Sequence, residues 1–221
     1  MRAMVVALAA LALSGCNMVV SKEPWFSPAD AKDAPRLREG TWAVLRTPDC
    51  QIDPARPASE WPECASPMLV KGDTYAGPRG EEEERASDPA TWDVIRHLLV
   101  GGHPMIDQIR MGEKDEQGRP PKDGDTGYLY MGVDPTALDD QGRIVGARIW
   151  PVVCGPLPPK GKGKGLGKLA TVTDKPFKGL KVEGMACSAR DLAALRNAAV
   201  KSEAILKPER KGAITLRWLR D

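Results

Sequence analysis

The chain has 221 residues, a length typical of one or two domains. Hydrophobic residues make up 42% and charged residues 28%, which is the balance of a globular domain and excludes fibrous and disordered chains. The net charge of +2 gives no basis for nucleic-acid binding.

The first residues have the pattern of a secretion signal. Arg2 precedes the apolar run Met4–Leu13, which is too short to span a bilayer because a spanning helix needs about twenty residues. The following Leu13-Ser14-Gly15-Cys16 resembles the lipobox of bacterial lipoproteins. The resemblance implies that residues 1–15 are removed and that Cys16 receives lipid on its sulfur and its new amino group. An ordinary secretory signal, cleaved near Ala10–Ala12, would instead leave Cys16 as a plain thiol.

The residue after the lipobox bears on the localisation of the protein. In lipoproteins an Asp at this place often retains the protein at the inner membrane, so Asn17 favours the outer membrane, with the domain facing the periplasm. We therefore expect the membrane, through a lipid anchor, to be one partner of the chain. Residues 16–24 are predicted to be the lipidated cysteine and a tether, and residues 25–221 a single domain.

The cysteine count supports export. Of five cysteines, Cys16 is assigned to lipid, and four in an oxidising compartment suggest two disulfides. Three connectivities are possible. Proximity in sequence and matching strand ends favour Cys50–Cys64 and Cys154–Cys187.

The first half of the domain contains a short helix and several strands. Ser27-Pro28 is a helix start, and Pro35 ends that helix within two turns. Strands are predicted at 40–47 and 68–71. Residues 91–100 fit either a helix or the first strand of a hairpin that turns at Gly101-Gly102, and the hairpin is favoured.

The second half contains further strands and one marked helix. Strands are predicted at 126–133, 142–153, 169–173 and 180–187. Ser188 is predicted to cap a helix that ends before Pro208. Ile214, Leu216 and Trp218 then alternate with polar residues as in a half-buried strand. This order predicts an α+β fold: a β-rich antiparallel sheet, open barrel or sandwich, with one C-terminal helix and a final strand.

The sequence contains few candidates for catalytic or metal-binding residues. The two histidines, His97 and His103, are predicted not to face each other across the hairpin, with His97 near Ile106, and are interpreted as partly exposed structural side chains. Residues 123–134 begin like a calcium loop but lack the required ligand and glycine at Gly127 and Tyr128. No metal, cofactor or catalytic residue is predicted, and an enzyme is less expected than a non-enzyme.

Tryptophans and lysines offer surface candidates. Trp42, Trp150 and Trp218 lie in strand patterns and are predicted in the core, whereas Trp25 and Trp61 lie in loops and are predicted at the surface. A glycine-rich basic loop could contact an anionic envelope surface through Lys160, Lys162, Lys164 and Lys168, although a solvated linker is the simpler interpretation.

The sequence therefore predicts a lipid-anchored envelope lipoprotein with a structural or interaction role. Its partner would be an envelope protein or an anionic envelope polymer. A periplasmic module that binds a small ligand inside its β-structure is the alternative, and a hydrolase with a pair of carboxylates is less expected. An apolar pocket would favour the ligand-binding module.

Overall fold

The computed structural model describes residues 17–47, 49–78, 89, 92–112, 127–156, 172–184, 186–206 and 214–221. One α-helix, α1, spans Leu192–Leu206, and short 3-10 helices span Pro28–Ala31 and Ala58–Glu60. The strands are β1 (Val20–Ser21), β2 (Gly40–Leu45), β3 (Ala65–Lys71), β4 (Thr74–Gly77), β5 (Asp93–Val100), β6 (Met105–Met111), β7 (Gly127–Leu138), β8 (Ile144–Pro151), β9 (Leu180–Glu183), β10 (Ala186–Ala189) and β11 (Ile214–Arg220).

Eight of these strands close an antiparallel barrel. Their order around the barrel is β2-β3-β4-β5-β6-β7-β8-β11, and β11 pairs back onto β2. The first seven follow each other in the chain, whereas β9, β10 and α1 are inserted before the last strand. The predicted β-rich antiparallel fold with one late helix and a final strand is confirmed, and the barrel is closed, so its eight strands have no free edge among them.

The strand register determines which side chains face the barrel axis. Trp42 lies opposite Met68 on β3 and Trp218 on β11, and every second residue along each strand shares this inward face. The inward residues form one apolar cluster to which all eight strands contribute: Trp42, Val70, Tyr75, Leu99, Met105, Val133, Ala147 and Leu216.

The two ends of the barrel differ. At the turn end, short turns join β3 to β4, β5 to β6 and β7 to β8. The segment before β2 also lies there, since Leu37 bridges to Ile144 and packs into the inward cluster. At the opposite end, the loop end, the chain makes its longer connections: β2 to β3, β4 to β5, β6 to β7, β8 to β9 and α1 to β11.

The helix α1 packs on the outer face of the barrel. Leu195, Ala198 and Ala199 cluster with Ile106 and Tyr130, whose side chains point outward. The Trp150 indole lies beneath the helix and donates to the Ala199 carbonyl at 3.1 Å. Its partner across β7 is Gly132, where a Cβ would lie 2.4 Å from the ring, so the close packing of this indole requires glycine.

A second outer cluster lies under the β2–β3 connection. The Cys50–Cys64 disulfide closes that connection, and Cys50 packs on Ala43 and Leu45. Trp61 packs at the edge of the same cluster. Trp25 packs in the same way against the cluster beneath α1. Trp25 and Trp61, the predicted surface candidates, are both half-buried, and so is Trp218, which was predicted in the core.

The chain enters the fold at residue 17, and the predicted tether is wrong in that respect. Val19 is fully buried, and β1 pairs with β7 at Leu129 and Tyr128. The side-chain amide of Asn17 donates to the Gly155 carbonyl at 3.2 Å and accepts from the Thr173 amide at 3.1 Å. Asn17 is thus a structural residue that joins three separate segments of the chain.

Asn17→Ala should lower the free energy of unfolding by about 2 kcal/mol, because it leaves two buried backbone groups unpaired. Urea denaturation of the purified domain would measure this. Asn197→Ala is the matched control, since Asn197 lies exposed on α1 and alanine favours helix. Equal unfolding midpoints for the two variants would contradict the structural role of Asn17.

Two local predictions need correction in detail. The hairpin at 93–111 is present, but four residues separate its strands and His97 lies opposite Ile109, not near Ile106. The late helix begins after Asp191, whose carboxylate accepts from the Ala194 amide at 2.8 Å, whereas Ser188 belongs to β10. In both cases the element type is right and its start or register is shifted.

Candidate functional site

A polar network lies inside the barrel, among apolar side chains. The Tyr75 hydroxyl donates to Asp107 Oδ2 at 2.7 Å, and His97 Nδ1 lies 2.9 Å from Asp107 Oδ1. The Tyr75 and His97 rings stack with their centroids 3.7 Å apart. Asp107 is 3% exposed and His97 9%, so both are held away from bulk water.

Three consecutive strands place these side chains together. Tyr75 on β4 lies opposite Ile95 on β5, and His97 is the next inward residue of β5. On β6, Asp107 lies opposite Leu99, one inward position beyond His97. A diagonal contact between β5 and β6 therefore joins the imidazole to the carboxylate, and the Tyr75 phenol reaches across β5 to the same carboxylate.

Burial determines the protonation of the Tyr75 hydroxyl. Burial raises the pKa of Tyr75 well above its usual value, and the neighbouring Asp107 charge raises it further. Tyr75 therefore keeps its proton and donates it. His97 Nδ1 shares a hydrogen bond with the other oxygen of the same carboxyl group.

The second nitrogen of His97 has no hydrogen-bond partner among the described residues. Nε2 is buried and makes no hydrogen bond with any described residue. Leaving a buried polar atom unpaired costs about 1–3 kcal/mol, and native proteins satisfy nearly all such atoms with protein, water or ligand. The barrel interior thus contains one ring nitrogen whose hydrogen-bonding capacity the described residues leave unused.

Six inward apolar side chains near the loop end are half-buried: Val44, Ile95, Ile109, Met111, Ile149 and Ile214. The inward Leu129 on β7, opposite Ile109, is by contrast 3% exposed and packs with Met18 and Leu206. Deeper inward residues such as Trp42, Val70 and Met105 are at most 4% exposed. Since the wall of a closed barrel shields its interior laterally, the partial exposure of these six side chains arises at the loop end, and the β7 side of that end is covered. We call these six residues the apolar layer, and the His97 network lies deeper along the same strands.

The predicted site residues have different outcomes. His97 is buried and hydrogen-bonded, so its interpretation as a partly exposed side chain is wrong, whereas His103 is exposed in the β5–β6 turn. The disulfides join Cys50 to Cys64 and Cys154 to Cys187, the two predicted pairs. Cys16, residues 123–126 of the calcium-like motif and the four lysines lie outside the described residues: Lys160, Lys162, Lys164 and Lys168.

The comparisons with known proteins give no family for this chain. No protein-family model, curated protein or solved structure matches it. Within the described ranges, no three His, Cys, Asp or Glu side chains are grouped to hold a metal ion. The function must therefore be argued from the geometry of the barrel alone.

A surface hollow of about 560 Å³ lies at the turn end. Arg36, Arg143, Glu39 and Asp221 contribute to its lining. Arg143 is paired with Asp139, and the nearby Arg38 bonds Asp221 and lies over the Trp218 ring. Charges of both signs line this hollow, and several already have protein partners, so it is a weaker candidate than the barrel interior.

Proposed function

We propose that this protein is a lipid-anchored envelope protein that binds a small molecule in the loop end of its barrel. The observation that carries the proposal is the apolar layer, which is accessible from one end and has a buried polar network beyond it. Eight-stranded barrels are just wide enough to be filled by side chains or to hold one small ligand. Apolar walls with a few converging polar groups are typical of small-molecule sites.

The interaction role that leads the sequence-based prediction has less support from the described surface. Its large exposed hydrophobic residues are spread over β5, β7, β9 and α1 rather than gathered on one element: Val94, Leu138, Val182, Leu192 and Val200. A hydrolytic site with paired carboxylates has no support either, since the network contains the single carboxylate of Asp107.

Binding can be tested with N-phenyl-1-naphthylamine, an uncharged dye whose fluorescence rises in apolar surroundings. We expect saturable enhancement with the purified Cys16→Ser chain, exported behind a conventional cleavable signal. Ile95→Trp should weaken binding at least tenfold, because a larger inward side chain fills the loop end. Val94→Trp is the matched control, because Val94 precedes Ile95 on the same strand, points outward and is 53% exposed.

Two outcomes would contradict the binding function. If the folded wild-type domain gives no saturable fluorescence enhancement, the proposed binding function is wrong. Equal weakening by Ile95→Trp and Val94→Trp would place the dye on the outer surface instead of inside the barrel.

The anchoring part of the proposal rests on the lipobox. A lipid on Cys16 would place the membrane one residue from the folded domain, because Asn17 is already buried. The two disulfides are consistent with an oxidising compartment, and Asn17 favours the outer membrane. No helix among the described residues is both long and apolar enough to cross a membrane.

Cys16→Ser should abolish labelling by radioactive palmitate. Exported behind a conventional cleavable signal, the same variant should fractionate with soluble periplasmic proteins, whereas the wild type fractionates with membranes. Cys64→Ser is the control, because it removes a different cysteine and should leave labelling unchanged. Labelling that persists in Cys16→Ser would overturn the anchor.

A further inference from the structure

We infer that the surface around Asn17 lies against the membrane and binds its anionic lipid headgroups. The inference rests on the anchoring part of the proposed function and adds which wall of the barrel faces the bilayer. It is carried by the burial of Asn17 and by three exposed lysines beside the segments that hold this residue: Lys175, Lys178 and Lys201. We call these lysines, together with Phe177, the anchor face.

The contacts of Asn17 leave no slack between a lipid on Cys16 and the folded domain. Consecutive Cα atoms are about 3.8 Å apart, and Asn17 is already fully buried. Its carbonyl accepts from the Cys154 amide at 3.0 Å, and its side chain bonds the backbones of Gly155 and Thr173. The wall that carries these contacts must therefore stay next to the bilayer whenever the lipid is inserted.

The same segments carry the anchor face. The Lys175 amide donates to the Thr173 hydroxyl at 3.1 Å, and the Thr173 amide donates to Asn17. The Phe177 amide donates to the Cys154 carbonyl at 2.8 Å, while the Cys154 amide donates to Asn17. Lys175 and Phe177 are thus each separated from Asn17 by one bridging residue.

Two further cations flank the Phe177 ring. The Lys201 ammonium, on α1, lies 5.2 Å from the centre of the ring, and Lys178 is the next residue in the chain. Both lysines are exposed, whereas the ring is half-buried. The anchor face therefore combines an aromatic side chain with exposed cations around it.

The charge of this surface is positive. None of the three lysines forms an ion pair with a described residue, and Asp174 is the exposed acid that lies among them in sequence. On the neighbouring β9, Lys181 and Glu183 pair with each other at 3.0 Å. On α1, Glu203 lies 3.5 Å from Arg148. An anionic leaflet attracts exposed lysines held near it.

The partner of the anchor face is the membrane itself, because the lipid holds this wall at the headgroups. A covalent tether converts the contact into an intramolecular one, so weak individual attractions suffice. Each lysine near an anionic surface strengthens the contact about fivefold. A protein or a soluble polymer would have to displace the headgroups from this narrow space.

Chemical coupling to vesicles tests this surface without relying on lipidation in the cell. The chain from Cys16 onwards, exported behind a conventional cleavable signal, is coupled through its Cys16 thiol to a maleimide phospholipid. The vesicles contain phosphatidylcholine and phosphatidylglycerol. The acetylation rate of each lysine by N-hydroxysuccinimidyl acetate is then measured by mass spectrometry. The reference is the same chain coupled to a water-soluble maleimide.

We expect the three lysines of the anchor face to react about fivefold more slowly on the vesicles. Headgroup contact covers these amines, and the negative surface potential favours their charged, unreactive form. Salt at 1 M should restore most of the reactivity, because the Debye length falls to about 3 Å. Pure phosphatidylcholine vesicles should protect these lysines less.

Lys71 is the internal control. It is exposed at the end of β3, beside the turn to β4, and these strands lie directly across the barrel from β7 and β8. Eight strands about 4.8 Å apart, tilted by about 40°, enclose a barrel about 15 Å across, which exceeds the Debye length of about 10 Å at 0.1 M salt. The reactivity of Lys71 should therefore not change. Lys175→Gln should reduce the protection of Lys178 and Lys201, whereas Lys71→Gln should leave it unchanged.

The inference is wrong if the three lysines react on the vesicles as fast as in the soluble reference, or if Lys71 is protected equally. Equal protection on pure phosphatidylcholine vesicles would contradict binding to anionic headgroups. The anchor itself fails separately, if the wild-type chain takes up no palmitate in cells. In that case the vesicle comparison still measures the surface, since the coupling to the vesicles is chemical.

Discussion

Replacing Trp42 by alanine should lower the free energy of unfolding by about 4 kcal/mol. Trp42 is fully buried, and its ring faces the barrel axis between β3 and β11. Its indole N–H donates to the Arg38 carbonyl at 2.8 Å. The substitution removes the fully buried one of two inward tryptophans, leaves a cavity in the turn half of the barrel and unpairs that carbonyl. Chemical denaturation followed by circular dichroism would measure the loss.

Trp218→Ala is the matched control for this prediction. Trp218 lies directly opposite Trp42 on the final strand but is half-buried, with the Arg38 guanidinium 3.7 Å from its ring centre. Its removal should cost about 2 kcal/mol, because less apolar area leaves water on folding and the site can collapse. A larger loss for Trp218→Ala than for Trp42→Ala would contradict the assignment of Trp42 to the barrel interior.

Removing the Cys154–Cys187 disulfide with the double variant Cys154→Ala, Cys187→Ala should cost about 4 kcal/mol. The two cysteines are 33 residues apart in sequence, and cross-linking a longer loop restricts the unfolded chain more. Both are at most 1% exposed and pack in the cluster beneath α1. The variant therefore also loses packing between the β9–β10 hairpin and the barrel. Thermal and urea unfolding under non-reducing conditions would measure the difference.

The other disulfide provides the comparison. Cys50 and Cys64 are 14 residues apart, so the chain-entropy model gives about 3 kcal/mol for the Cys50→Ala, Cys64→Ala variant. Cys64 is half-buried, and we expect this bond to be reduced first in a titration with dithiothreitol. Peptide mapping that recovers a Cys64–Cys154 link would contradict both assignments. Preferential reduction of Cys154–Cys187 in the folded protein would contradict the expected order of reduction.

The final strand shows what alternation in a sequence can establish. Ile214, Leu216 and Trp218 alternate with polar residues, and they do lie in a strand that completes the barrel between β2 and β8. The apolar face of such a strand must be buried somewhere, so its presence in the core follows from pattern alone. Its partners do not, because β8 and β2 are far from it in sequence.

The contacts within the candidate site cannot be predicted from alternation in the sequence. His97 follows Ile95 and precedes Leu99 at the period of a strand, and Asp107 lies between Met105 and Ile109 in the same way. That alternation would have placed both polar side chains on apolar faces. Their pairing still depends on the register of β5 against β6, and the four-residue turn sets that register. A shift of a few residues would have separated them.

The predicted tether after the lipobox is wrong for a related reason. Asn17 is polar and short segments near a signal peptide are commonly tethers, but its amide satisfies backbone groups of Gly155 and Thr173. Those partners lie more than 130 residues away in the chain. No local pattern encodes a contact over that separation.

The features that local chemistry controls can be predicted from the amino-acid sequence. These are the lipobox resemblance, the strand-rich pattern with one late helix, the alternating final strand and the spacing of Cys50 and Cys64. The fold in three dimensions sets the rest: the sheet closes, Tyr75, His97 and Asp107 meet inside it, and Nε2 has no partner among the described residues. Closure and register arise from pairings between strands distant in sequence, and the free energies of such pairings depend on all eight strands together.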